Sequence, residues 1–152
     1  MFNVTGKGLG VGAAVFAAMN LFTTQPASAK SPPEGFWLTS DKTIVVALGA
    51  CEQGSSKLCG IIAGLPGAAS DAELARYKSQ LCGLPVLWNL EWALEGKRWE
   101  RGKILDPETE KVYDLQASIK GSALSLHTIG KNGKPLEVMT WHKVKTFKEA
   151  CW

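Results

Sequence analysis

Four cysteines, two histidines and one closely spaced acid pair are the side chains of this sequence with chemistry to offer. Cys51, Cys59, Cys82 and Cys151 form an even set in a chain of 152 residues, which is the pattern of a disulfide framework in an oxidising compartment. Three pairings are open to them. Cys51 and Cys59 flank Glu52 to Leu58, a polar, glycine-containing connection between two apolar runs, so a bridge there clamps the base of a loop. Cys82 then pairs with Cys151 and fastens the C-terminal end to the middle of the chain. In the chain-entropy account the short loop contributes about 2.6 kcal/mol and the long one about 4.4 kcal/mol. A zinc site would ask for C-x-x-C or histidine spacing, and neither is present, so no metal and no cofactor are expected.

His127 and His142 fall on different strands of the last predicted hairpin. Facing each other they would hold a metal or move a proton, but a general base needs positioned partners, and none is evident. Asp106 and Glu108 bracket a proline, and Asp-Pro starts turns. No G-x-S-x-G elbow occurs, and with all four thiols oxidised no nucleophilic cysteine remains. No catalytic residue is assigned, and the chain is not expected to be an enzyme by itself. Aromatic content is what stands out, with six tryptophans. Trp37, Trp99 and Trp141, with Tyr113, sit within predicted strands and either fill a barrel interior or line a ligand cavity there. Trp88 and Trp92, four apart, and Trp152 at the C-terminus are read as lying outside. Exposed tryptophan marks interfaces, so these three are the partner-binding candidates. Lys143, Lys145 and Lys148 make a basic stretch that suits an acidic partner or acidic lipid headgroups.

The elements that must position these residues are short. Gly35–Thr39, Thr43–Ala50, Leu58–Leu65, Pro85–Leu90, Arg98–Leu105, Val112–Ile119, Ala123–Ile129 and Leu136–Val144 read as strands, from β-branched and alternating apolar residues. Ser70-Asp71-Ala72-Glu73 has capping-box spacing, and Leu74, Tyr77 and Leu81 follow at helical intervals, which predicts a helix over about Asp71–Gln80 stopped by Gly83. Asn132-Gly133 predicts a hairpin turn with positive φ at both residues. About eight strands and one helix are best closed as an antiparallel barrel, because closure removes exposed edges.

Met1–Ala29 reads as a secretory signal peptide: Lys7, then an apolar run Leu9–Phe22 broken only by Asn20, then Ala27-Ser28-Ala29. A run of 14 falls short of the ~20 residues that span a bilayer. Cleavage after Ala29 leaves a single domain, residues 30–152, and removes Lys7, taking the formal charge from +3 to +2. So balanced a charge excludes a nucleic-acid binder with a basic face. With 45% hydrophobic and 20% charged residues the chain folds rather than staying disordered.

Gly35-Phe36-Trp37-Leu38-Thr39, Leu58-Cys59-Gly60-Ile61-Ile62, Leu81-Cys82-Gly83-Leu84, Trp99-Glu100-Arg101-Gly102-Lys103-Ile104-Leu105-Asp106-Pro107-Glu108 with Tyr113, and Thr140-Trp141-His142-Lys143-Val144 resemble, in that order, the exported bacterial family catalogued as domain of unknown function 2147. The resemblance implies a lipocalin-like barrel, and the early G-x-W is a lipocalin habit too. It implies no activity. Where Glu110 stands, that family often has a glycine, which supplies positive φ cheaply. Two functions from different classes are expected. In the first, a non-catalytic exported accessory protein docks on a larger periplasmic or membrane-surface enzyme complex and assists its assembly. By size and compartment, though by no motif, it is similar to the small third subunits of quinoprotein alcohol dehydrogenase complexes. The alternative is a lipocalin-like carrier of a small hydrophobic ligand. Periplasmic location suits both, either free or peripheral on the outer face of the inner membrane.

Overall fold

Eight runs of β-forming residues separated by turn formers become eight strands. The computed structural model describes residues 30–152, and the signal-peptide reading of residues 1–29 lies outside the described residues. The strands are β1 (Gly35–Leu38), β2 (Val45–Ala50), β3 (Leu58–Gly64), β4 (Pro85–Ala93), β5 (Arg98–Asp106), β6 (Lys111–Lys120), β7 (Ala123–Ile129) and β8 (Pro135–Val144). Each pairs antiparallel with the next and β8 returns to β1, closing the barrel. This is the small up-and-down architecture the sequence implies.

Between β3 and β4 come a 3-10 turn, Pro66–Ala69, and the helix α1 (Ala72–Leu81). Asp71, not Ser70, is the N-cap: its carboxylate accepts the backbone N–H groups of Glu73 and Leu74 at 2.9 and 3.1 Å. A carboxylate this close to the helix start satisfies two orphan donors and complements the dipole. Leu74 and Leu81 pack against the core, whereas Tyr77 is largely exposed. Gly83 stops the helix as expected, at φ 79, with its N–H donating to the Ile62 carbonyl.

Two expected details are corrected. The strand expected from Thr43 begins at Val45, because Thr39 and Asp41 capture the intervening backbone. The Asp41 carboxylate accepts Thr43 N–H, and the Thr39 hydroxyl accepts Ile44 N–H. At the last hairpin only Gly133 has positive φ. Gly133 N–H donates to the Gly130 carbonyl and Gly130 N–H to Lys134, a three-residue loop whose glycine takes the left-handed position. Asn132 keeps a negative φ and accepts Lys134 N–H on its side-chain oxygen.

β4 and β5 carry the main irregularity. Between Leu90 and Leu87, β4 holds one residue more than β3 does between Leu58 and Gly60. Likewise, between Trp99 and Gly102, β5 holds one more than β6 between Ala117 and Leu115. The extra residues are absorbed by Asn89 and Arg101, at φ 60 and φ 59, and each reverses the alternation of its strand. Leu87 and Leu90 therefore both face inward, as do Trp99 and Gly102.

After β8 the chain runs over the outside. Phe147 packs against Phe36 with ring centroids 5.1 Å apart and the rings tilted by 60°. Ala150 bridges to Gly64, and Cys151 N–H donates to Ala63. Both expected disulfides are formed, Cys51–Cys59 and Cys82–Cys151.

Candidate functional site

The barrel interior is built from large apolar side chains at alternate strand positions. Trp37 on β1, Trp99 on β5 and Trp141 on β8 are buried, with Leu58, Ile62, Leu87, Leu90, Leu115, Leu124 and Leu126 around them. Two glycines show how full this space is. A Cβ on Gly60 would lie 2.8 Å from Leu48 and 2.9 Å from Val46, and one on Gly102 would lie 2.3 Å from Leu90. Tyr113 is half-buried at the edge of the same cluster. Of the four interior candidates, Trp37, Trp99 and Trp141 are fully enclosed and Tyr113 lies at the margin. The Trp37 indole N–H is buried with no acceptor among the described residues.

The three outside candidates do not stay together. Trp88 lies opposite Lys103 and faces outward, half-buried. Trp92 lies opposite Trp99 and faces inward, its ring edge against Trp99 with centroids 5.5 Å apart. In a regular strand residues four apart share a face, and the reversal at Asn89 separates them. The expected outside position of Trp92 is thus corrected. Trp152 follows the Cys82–Cys151 bridge and is 74% exposed.

The outer surface divides by charge. β1, β2 and β3 contain no charged side chain in their GFWL, VVALGA and LCGIIAG sequences. Their outer face is partly covered by Phe147 and Ala150–Cys151, and Ile61, opposite Pro85 on β4, remains exposed. β4 to β6 instead carry ion pairs. Glu91 receives Arg101 at 2.5 Å and Lys57 at 3.3 Å, Arg98 pairs with Glu100, and Lys103 with Asp114. The Arg101 and Lys57 donors hold the Glu91 carboxyl below its usual range, and Lys78 does the same for Glu149.

Asp106 is a turn cap, not half of an acid pair. Its carboxylate accepts the Thr109 hydroxyl at 2.7 Å and the Glu108 and Thr109 backbone N–H groups, and these donors keep its pKa low. His127 lies opposite Val138 and His142 opposite Ala123. Those positions lie four residue steps apart on β8, roughly 13 Å along a strand, so the structure does not bring the histidines together. Among the described residues no three His, Cys, Asp or Glu side chains gather as a metal-holding group.

The N-terminal end of the barrel escaped the sequence reading. Lys30 places its ammonium 3.8 Å from the centroid of the Trp92 ring, and Lys143 places its own 5.8 Å from that of Trp37. Gly35 sits at φ 133, and a Cβ there would meet the Lys143 stem at 2.8 Å, so this glycine serves both the backbone and the passage of Lys143. An open cleft of about 740 Å³ flanks this end, lined by Glu34, Phe36, Ala47, Gly49, Glu52 and Lys143 among others. Sequence held one signal for it, the stiff Pro32-Pro33 pair one residue before β1.

The profile of the family described as "Uncharacterized protein conserved in bacteria (DUF2147)" matches residues 35–143. Neither the curated proteins nor the solved structures yield a match.

Proposed function

The chain belongs to this bacterial family, and from that premise we propose that it works by docking: a non-catalytic exported protein that binds a larger periplasmic or membrane-surface enzyme complex and assists its assembly. One observation carries the reading, the way aromatic area is divided. Trp37, Trp99 and Trp141 are spent on filling the barrel, while Trp152, Trp88 and Ile61 stand on or beside strands that carry no charge. Monomeric surfaces are normally broken up by charges, and uncharged strands with an exposed tryptophan fit a contact surface. An eight-stranded barrel is only just wide enough for its own side chains or one small ligand, and Gly60 and Gly102 leave no slack around Leu48 and Leu90. That weighs against the alternative, a carrier of a small hydrophobic molecule. Two disulfides fit an oxidising compartment such as the periplasm.

The test is purification of the tagged protein from the envelope fraction under native conditions, with mass spectrometry of both proteins and small molecules. A partner protein retained by the wild type and lost in Trp152→Ala or Trp88→Ala supports docking. A stoichiometric lipid or other apolar molecule with no partner protein overturns it in favour of the carrier.

A further inference from the structure

β8 outruns the strand on which it closes. β1 has four residues and β8 ten, and their ladder ends where Leu38 lies opposite His142. There β1 turns away: Thr39 N–H goes to the Ile44 carbonyl, and the Ser40 hydroxyl donates to the Thr140 carbonyl. From Pro135 to Met139, β8 has β7 on one side and, among the described residues, no strand on the other. Pro135, Leu136, Glu137 and Val138 are all exposed.

Alternation fixes where this backbone points. In an antiparallel strand the N–H and C=O of one residue face one neighbour, and those of the next residue face the other. Glu137 N–H donates to Thr128 on β7 and Lys143 N–H to Ser122 just before it, so odd-numbered residues face β7. Thr140, whose carbonyl accepts Ser40, faces away from β7, and so does Val138. The Val138 N–H and C=O are therefore unpaired among the described residues. Its side chain is 58% exposed, and Leu136 at 62% adds apolar surface beside it. Pro135 and the extra residue Leu136, between the pairs with Ile129 and Thr128, blunt the hairpin end of this edge. The open stretch is short and centred on Val138.

We propose that this edge receives an extended segment of a partner protein as an added strand, end to end with β1. A row of free backbone groups is matched by another extended backbone. The segment that fits has apolar β-branched residues beside Val138 and a lysine or arginine opposite Glu137, since opposite charges across a pair stabilise. A second copy of this chain fits badly. Antiparallel self-pairing of Val138 with Leu136 sets Glu137 against Glu137, like charges directly opposite. Self-pairing of Val138 with Val138 instead brings Leu136 against Thr140, where Ser40 already lies. The edge involves neither Trp88 nor Trp152, so its test is independent of the docking surface proposed for them.

Residue-resolved amide exchange of the protein, followed by NMR, tests this. In the free protein Val138 N–H should be at least about fivefold less protected than Glu137 and Met139 N–H, the factor for one net backbone hydrogen bond. The probe is a short blocked peptide alternating valine and threonine, with one central threonine replaced by lysine. At saturation it should slow Val138 exchange about fivefold, and the same peptide methylated at every second amide nitrogen should not. Val138→Pro should keep the wild-type Tm, because an edge strand tolerates proline where the N–H faces solvent, and it should bind the peptide at least about fivefold more weakly. A fall in Tm as large as that of Met139→Pro, whose N–H faces β7, overturns the proposal. So does a Val138 amide already protected in the dilute free protein, or one that millimolar peptide leaves unchanged. Slowing that appears only as the protein itself is concentrated overturns it in favour of a second copy.

Discussion

Gly102 and Leu90 share one space in the barrel wall. A Cβ on Gly102 would lie 2.3 Å from Leu90 Cγ, 2.6 Å from its Cδ2 and 3.2 Å from the Trp88 carbonyl. The contact exists because the left-handed residues Asn89 and Arg101 turn both Leu90 and Gly102 inward. The neighbours on one side are the β4 backbone and a buried leucine, so little can yield. Gly102→Ala should cost about 1–3 kcal/mol as an overpacked core position. Gly49→Ala, with open space around it, should stay within about 0.5 kcal/mol of wild type. Denaturant titration of both variants checks the contrast, and equal stabilities would refute the packing argument.

Glu110 offers the opposite case. It closes the β5–β6 turn at φ 56, a conformation that strains a residue with a side chain by roughly 1–2 kcal/mol. Glycine relieves that strain but gives back about 0.5–1 kcal/mol in chain entropy. Glu110→Gly should therefore raise stability by a net ~0.5–1 kcal/mol, read as a higher Tm. A lower Tm would show that Glu110 makes a compensating interaction.

Much of this fold was legible because its signals are local. Alternation at Tyr113, Leu115, Ala117 and Ile119 marked the inner face of β6, and the cysteine spacing led to the observed bridges. What escaped depends on contacts between segments. The face reversal at Asn89 has no strong local sign, since asparagine merely tolerates positive φ, and so Trp92 was placed on the wrong side. Its trace is in β5 instead: Trp99 and Gly102, three apart, can both face inward only if the strand is irregular. The reach of Lys30 to Trp92 and of Phe147 to Phe36 could not be read at all, because irregular segments outside the strands carry no periodicity.

Acid should destabilise the protein in a defined window. The Asp106 carboxyl is held below its ordinary value of 3.8, chiefly by the Thr109 hydroxyl. At Asp41 burial pushes upward, but donors from Thr39 and Thr43 outweigh it and leave it below 3.8. Glu91 and Glu149 lie below 4.5. Folded carboxyls with lowered pKa bind fewer protons than the unfolded chain, so their stabilisation is complete above the ordinary values and is lost as pH falls through the folded ones. Tm should be flat above 4.5 and drop below 3.8. Thr109→Val, which removes one donor to Asp106, should shallow that drop. A Tm that rises on acidification would contradict the assignment.

The tryptophans separate folding from docking. Trp99 and Trp141 are 1% and 5% exposed and touch the core on several sides. Truncating either should cost about 3–5 kcal/mol, the usual penalty for emptying a large buried position. Trp152, at 74% exposure, has little packing to lose. Trp152→Ala should leave stability within about 0.5 kcal/mol yet weaken binding to the partner by about 2 kcal/mol if it is an interface anchor. Trp88 is the intermediate case: half-buried and facing outward, it should lose some stability and some binding together. Thermal melts and a binding isotherm on the same four variants place each residue on one of these two axes. If Trp99→Ala instead abolishes uptake of an apolar dye while Trp152→Ala does nothing to any association, then the barrel is used from within, and the filled interior must open to do so.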